Sequence, residues 1–219
     1  MACVDNLKRM QDGRIYDPNR EDLQTQQTAA LELMYDYNAT RPSQVARREE
    51  LIQLMFAQAG PGCHLEPPFY ANWGGQNVHL GAGVYANFGL TLVDDAPIYI
   101  GDHTMFGPNA TIATAGHPVL PELRVHGAQF NVPVRIGNNV WVGAGSVIML
   151  GVSIGDNSVI GAGSVVTRDI PENVVAMGTP CRVLREIGEH DAEYYWRDRR
   201  IDITPEEMRA VSAERLQRG

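Results

Sequence analysis

Ile136, Val142, Ile148, Ile154, Ile160 and Val166 return at a fixed interval of six residues, and this period restricts the fold more than any other feature of the chain. A helix brings side chains back to one face every 3.6 residues and a strand every two, so neither sustains a six-residue rhythm through six units. A coil with three short flat faces does. The hexads IGNNVW, VGAGSV, IMLGVS, IGDNSV, IGAGSV and VTRDIP each supply one face and one turn. Three hexads close a circuit, which should stack Ile136 on Ile154 and Val142 on Ile160. Gly and Asn suit the corners, where positive φ carries little steric cost for them. Upstream, Leu80-Gly81-Ala82-Gly83 and the six-spaced Ile100, Phe106 and Ile112 extend the same solenoid with interruptions. Ordinary sandwich strands would not keep one period for so long. The expected fold is mainly β, a parallel β-helix of hexapeptide repeats. Periodicity does not set its hand.

With 219 residues, 44 % of them hydrophobic, the chain can bury one substantial core and a small appendage. No apolar run is long enough to cross a membrane, and the N-terminal region, with Asp5 and Lys8, lacks the apolar stretch of a signal peptide, so a cytoplasmic location is expected. Cys3, Cys63 and Cys181 are scattered and have neither disulfide-framework nor zinc-ligand spacing. The net charge of −8 argues against a nucleic-acid surface, although Arg168, Arg182 and Arg185 collect at the end of the repeats.

Residues 1–60 lack the six-residue period and read as a helical segment. Glu21 to Tyr37 carries Leu23, Ala30, Leu31, Met34 and Tyr35 at helical spacing. Ser43 to Ala59 carries Val45, Leu51, Ile52, Leu54, Met55 and Phe56, with Ser43 as N-cap and Gly60-Pro61-Gly62 as terminator. Such a segment would cap the solenoid, whose first coil otherwise leaves unpaired strand edges and an apolar cross-section in water. The solenoid is expected over 61–187, with residues 117–133 thrown outward as a loop, and 188–219 as a tail whose last helix opens at Thr204-Pro205-Glu206-Glu207. A long excursion from a compact repeat is a functional signal.

Thr114-Ala115-Gly116-His117-Pro118 lies at the lip of that loop. A histidine fixed at a loop root is a candidate general base, because its ordinary pKa lies near neutrality. Asp94-Asp95 and Tyr85-Ala86-Asn87, from earlier coils, could bring carboxylate, phenol and amide to the same groove.

YANFGLTLVDDAPIYIGD, GHPVLPELR, IGNNVWVGAGSVI and VIGAGSVVTRDIPENVVAMGTPCRVLREI, with ELMYDYNATRPSQVARREELIQLMF and EPPFYANWG before them, resemble the maltose and galactoside O-acetyltransferases of the hexapeptide-repeat superfamily. The resemblance spans about residues 5–195. It implies a left-handed β-helix that forms a homotrimer and binds acetyl-CoA in the groove between neighbouring solenoids, with no metal. It also implies that His117 is the catalytic base, and that Asp17, Tyr85, Asn87 and Asp95 line the acceptor sugar. Asn72 and Gln129 fall at acceptor-side positions where this chain departs from its relatives. The positions implied for CoA are Trp141, Ala144, Ala162, Thr167, Arg168, Arg182 and Arg185, the arginines suiting its phosphates. The expected activity is transfer of an acetyl group from acetyl-CoA to a hydroxyl of a glucose-, maltose- or galactoside-type sugar. Alternatives are a xenobiotic acetyltransferase, which usually lacks the N-terminal helical segment, and a non-catalytic CoA-binding solenoid. A metal-dependent hydratase of the γ-carbonic anhydrase kind would need three convergent histidines. His103, His117 and His126 lack its spacing.

Overall fold

The computed structural model describes residues 6–19 and 21–218, side chains of 22 and 213–218 excepted. Asp5 and Cys3 lie outside the described residues. The chain divides into two compact units, Met1–Arg185 and Glu186–Gly219. The first opens with helices α1 (Asn6–Gln11), α2 (Glu21–Asn38) and α3 (Val45–Met55), followed by a parallel β-solenoid.

The solenoid has three faces. The first is built from Gln58–Ala59, Val78–Leu80, Ile98–Ile100, Val134–Ile136 and Ser153–Ile154. The second runs from His64–Leu65 through Tyr85–Ala86, Met105–Phe106, Trp141–Val142, Val159–Ile160 and Val174–Gly178 to Cys181–Glu186. The third contains Tyr70–Ala71, Thr91–Val93, Thr111–Ala113, Val147–Ile148 and Val165–Val166. The predicted columns are present, since Ile136 pairs with Ile154 and Val142 with Ile160. All six hexad positions are buried. The buried hydroxyls between coils bond to backbone; Thr104 Oγ1 donates to Gly137 O at 2.8 Å and Ser158 Oγ to Pro171 O at 2.7 Å. Asn139, Asn157 and Asn173 take positive φ at one corner and form a side-chain ladder, Asn139 Nδ2 donating to Asn157 Oδ1 at 3.0 Å and Asn157 Nδ2 to Asn173 Oδ1 at 2.9 Å. Glycine is required where coils touch: a Cβ on Gly143 would come within 2.5 Å of the Ala162 nitrogen.

Strand register shows where the coil departs from its period. Partners are 18 residues apart in the regular block, as in Ile148 and Val166. They are 21 apart in the first circuit (Ala71 and Leu92), 20 in the next (Leu92 and Ile112) and 36 in the third (Ile112 and Ile148). At the far end the separation falls to 16, between Ile160 and Ala176. Every departure falls at the corner from the third face to the first, at residues 72–77, 94–97, 114–133 and 167–169.

The helical segment differs in detail from the sequence expectation. Ser43 does not cap α3. It lies in a turn closed by the Gln44 N–H on Arg41 O at 2.9 Å, and Gln44, at the N-cap, turns its side chain back to accept from the Arg41 N–H at 2.7 Å. The helix stops at Met55, because Gln58–Ala59 is already a solenoid strand paired with His79–Leu80. The solenoid thus begins three residues before the expected boundary. Leu51, Ile52 and Met55 face the core, whereas Tyr35, Val45 and Leu54 are exposed. The helices are tied down by Tyr37, whose hydroxyl donates to Leu65 O at 2.6 Å, and by Asn38, which exchanges two hydrogen bonds with the Phe69 backbone. Cys63 is half-buried and Cys181 buried, both as free thiols.

Asp94 is wholly buried at the irregular corner and holds the preceding turn: its Oδ1 accepts the Trp73 N–H at 2.6 Å and its Oδ2 the Gly75 N–H at 3.0 Å. Burial outweighs those bonds and pushes its pKa up to about 6.

The second unit contains α5 (Glu189–Glu193), an antiparallel hairpin of Tyr194–Trp196 with Arg199–Arg200, and α6 (Pro205–Arg218). Thr204 opens α6 as expected, its Oγ1 accepting the Glu207 N–H at 3.2 Å while Glu207 Oε2 accepts the Thr204 N–H at 2.7 Å.

Two predictions follow from packing and burial. Ile148→Ala removes a fully buried side chain from a column packed on both sides, and should lower unfolding free energy by roughly 2–5 kcal/mol in chemical denaturation. For Asp94 the folded pKa lies above the unfolded one, so the folded state binds the extra proton. Its contribution is full below the unfolded pKa and is lost as pH rises through about 6. Denaturation between pH 4 and 7 should show wild type losing stability relative to Asp94→Asn, by on the order of 3 kcal/mol at most.

Candidate active site

The loop from 114 to 133 leaves and rejoins the irregular corner through a short antiparallel pair, Ala115–Gly116 with Phe130–Asn131. Its outer part contains α4 (Pro121–Arg124), started by proline at its first position. His117 follows the outgoing strand and is exposed. Its Nδ1 lies 2.9 Å from Ala128 O. A carbonyl only accepts, so in the neutral ring Nδ1 carries the hydrogen and Nε2 carries the lone pair. The imidazole is thereby oriented, and among the described residues its Nε2 meets no hydrogen-bond partner.

Beyond Ala128, the same strand reaches the N-terminal segment. Tyr16 and Gln129 exchange backbone hydrogen bonds, Tyr16 N–H to Gln129 O at 2.9 Å and Gln129 N–H to Tyr16 O at 3.0 Å. Alternation then buries the Tyr16 side chain and exposes that of Asp17. Asp17 Oδ1 accepts from both the backbone and the side-chain nitrogen of Asn19, at 3.0 and 3.2 Å. Gln129 Nε2 donates to Asp95 Oδ1 at 3.0 Å, and Asn72 Nδ2 donates to Asp95 Oδ2 at 2.9 Å. His117, Asp95, Asn72, Gln129 and Asp17 are therefore gathered at or against one corner.

Tyr85 and Asn87 are not part of that cluster within one chain. Tyr85 lies on the second face, its ring stacked on His64 with centroids 5.9 Å apart, and Asn87 lies at the corner between second and third faces. The width of the third face separates them from Asp95, contrary to the expectation of one shared groove within the coil. Asn87 Oδ1 accepts the Phe88 N–H at 2.8 Å.

The residues implied for CoA divide in the same way. Trp141 stands on the second face, 53 % exposed. Ala144 and Ala162 are exposed on successive coils of the adjoining corner, where the Gly163 N–H donates to Ala144 O at 2.8 Å. Arg182 and Arg185 lie exposed on Cys181–Glu186, the last strand of Trp141's sheet. With strands about 4.8 Å apart, three spacings place that strand roughly 14 Å from the one carrying Trp141, a run suited to an extended ligand. Thr167 and Arg168 are exposed at the irregular corner. Among the described residues no group of three His, Cys, Asp or Glu side chains could hold a metal ion.

Three residues of the cluster were not among the sequence candidates. Trp73 donates from Nε1 to Asp95 Oδ1 at 3.2 Å, while Tyr16 and Asn131 are joined by Asn131 Nδ2 to Tyr16 Oη at 3.1 Å. The available signal was weak: Tyr16 adjoins Asp17, and Asn131 follows Gln129 at the two-residue interval of a strand.

Residues 9–60 match the maltose acetyltransferase hexapeptide capping motif, and residues 133–168 match the hexapeptide repeat of succinyl-transferase. The chain is 52 % identical over 203 residues to a galactoside O-acetyltransferase of Lactococcus lactis, covering 93 % of this chain and 98 % of the relative. A galactoside acetyltransferase solved in complex with coenzyme A superposes with a TM-score of 0.88 at 47 % identity, over 92 % of this chain and all of that one. A maltose O-acetyltransferase from Clostridium difficile gives a TM-score of 0.82 at 40 % identity, over 84 % and 98 %. Near-complete coverage at this identity, over both the helical segment and the solenoid, shows that the chain belongs to the maltose and galactoside O-acetyltransferase family of hexapeptide-repeat proteins.

Proposed function

We propose that this protein transfers the acetyl group of acetyl-CoA to a hydroxyl of a neutral sugar, with His117 as general base. The observation that carries the reading is the His117 ring, anchored through Nδ1 to Ala128 O with Nε2 free, beside a cluster of carboxylates and amides suited to hydroxyls. Nε2 takes the proton of the acceptor hydroxyl as its oxygen attacks the thioester carbonyl. The carbon–sulfur bond then breaks and the thiolate leaves as CoA, taking the proton from the imidazolium. A positioned base contributes roughly 10²–10⁴-fold, and holding both substrates in one groove adds proximity. The arginines Arg168, Arg182 and Arg185 suit the CoA phosphates, and Trp141 offers an exposed ring on the sheet that carries Arg182 and Arg185.

The division of the candidate residues between two corners supports a site formed by two copies, within a homotrimer. One copy would contribute His117, Asp95 and Asp17, and its neighbour Tyr85, Asn87, Ala144 and Ala162. Outward columns fit such packing: Val147 and Val165 on the third face, and Met105, Trp141 and Val159 on the second, against His79, Tyr99 and Arg135 on the first. A three-fold rotation closes these head-to-tail contacts.

Incubation with acetyl-CoA and glucose, maltose or isopropyl-thiogalactoside should release free thiol in an acceptor-dependent way; none across a broad sugar panel would sink the assignment. His117→Ala should lower turnover about 10²–10⁴-fold while calorimetry still records CoA binding. Mixing unfolded His117→Ala and Asn87→Ala chains and refolding them together should restore on the order of a quarter of wild-type activity, because random assembly leaves that share of two-copy sites intact. Sites lying within single chains would restore none.

A further inference from the structure

The second face presents one outward column, in which Tyr85 pairs in register with Met105, Met105 with Trp141, and Trp141 with Val159. Neighbours in such a column stand about 4.8 Å apart, so Met105 lies midway along the roughly 10 Å between the two aromatic residues. It is 44 % exposed. Two ring-bearing positions thus flank a flexible thioether. The circuits also fix the height of each candidate group along the solenoid. Met105 belongs to the circuit of Ile98–Ile100, Met105–Phe106 and Thr111–Ala113, and His117 leaves the coil at the end of that same circuit. Asn72 and Asp95 close the two circuits before it, toward the helical segment. Trp141, Ala144 and Ala162 belong to the circuits after it. A three-fold rotation about an axis along the solenoids changes no height, so the base of one copy meets its neighbour at the level of Met105.

We propose that Met105 faces the acyl group at the point of transfer and, by the length of its side chain, restricts the donor to acetyl-CoA over longer acyl-CoA thioesters. This rests on the two-copy acetyl-transfer reading above and adds to it the residue that measures the acyl chain. The carbonyl carbon is bonded to the CoA sulfur and attacked by the acceptor oxygen, so it lies between the two ligands. Acceptor-side groups stand on the helical side of the base and CoA-side groups beyond it, which puts that carbon at the height His117 and Met105 share. The base belongs to one copy and the opposing second face to its neighbour, and the side chain at that height on the opposing wall is Met105. Its thioether chain fills the space that a longer acyl tail needs, and each methylene that a hydrophobic pocket distinguishes changes selectivity about 10–200-fold. A longer chain would be transferred through the same bonds. The acceptor oxygen joins the acyl carbon, the carbon–sulfur bond breaks, and the hydroxyl proton passes through His117 to the thiolate. Selection is therefore steric.

The test is steady-state kinetics of the full chain on one neutral sugar with acetyl-, propionyl- and butyryl-CoA. Wild type should favour acetyl-CoA over butyryl-CoA by about tenfold or more in kcat/KM. Met105→Ala should shrink that preference about tenfold while the sugar KM stays near wild type. Met105→Leu restores most of the lost volume and should keep the preference. Val159→Ala, in the same column one position beyond Trp141, should leave it unchanged. Should Met105→Ala not fold or assemble, Met105→Val carries the same comparison. An equal change in Val159→Ala, or a wild type that uses butyryl-CoA as readily as acetyl-CoA, would overturn the proposal. Wild type inactive with every acyl-CoA removes the acetyl-transfer reading and this inference with it, whereas an active wild type with an unaltered preference in Met105→Ala removes this inference alone.

Discussion

Coil-on-coil registration is the constraint on which the rest of the structure depends. Each coil buries its aliphatic column against the coils above and below, and each short strand hydrogen-bonds to the same position one circuit away. A one-residue slip would turn every inward side chain outward, so registration is held strictly wherever one face is buried. Extra residues can therefore leave the coil only at corners. In this chain they leave at a single corner, and the chemistry-bearing side chains Asn72, Asp95, His117 and Gln129 leave with them.

Rigidity at that corner comes from one strand. Between Ala128 and Asn131 successive residues hold the His117 ring through a carbonyl, clasp the Tyr16 backbone, bind the Asp95 carboxylate and pair with Ala115. A loop would ordinarily be the mobile part of a repeat protein. Here its return strand is stitched to the coil, to the N-terminal segment and to the His117 ring at once, so each member's position depends on the others. That dependence supplies the side-chain support a reactive constellation needs to stay within a fraction of an ångström.

Much of this was legible in the sequence, for a physical reason. The solenoid repeats one environment, so Ile136 to Val166 announce both face and register through spacing alone. The helical segment is less regular, and Ser43 illustrates the limit: a good capping residue by type, it is used in a turn because Pro42 and Gln44 close one there. The corner cluster was partly visible as His117 and Asp95, whose residue types stand out. Trp73, Tyr16 and Asn131 were not, because their importance lies in contacts between segments as much as 115 residues apart. Nor did spacing show that Tyr85 and Asn87 sit at a different corner from Asp95, which follows from the order of faces around the coil.

The pair Asp94 and Asp95 shows how a small insertion serves fold and site together. The circuit that contains them is two residues longer than the regular one, and the extra length brings two adjacent carboxylates to the corner. Both are buried, but their carboxylates meet different donors. Asp94 turns inward and accepts the Trp73 and Gly75 N–H groups, which organises the turn preceding it; burial raises its pKa as the consequence. That same turn delivers the Trp73 indole to Asp95, whose carboxylate is met by three side-chain donors among the described residues. The buried acid thus builds the platform on which its neighbour is held.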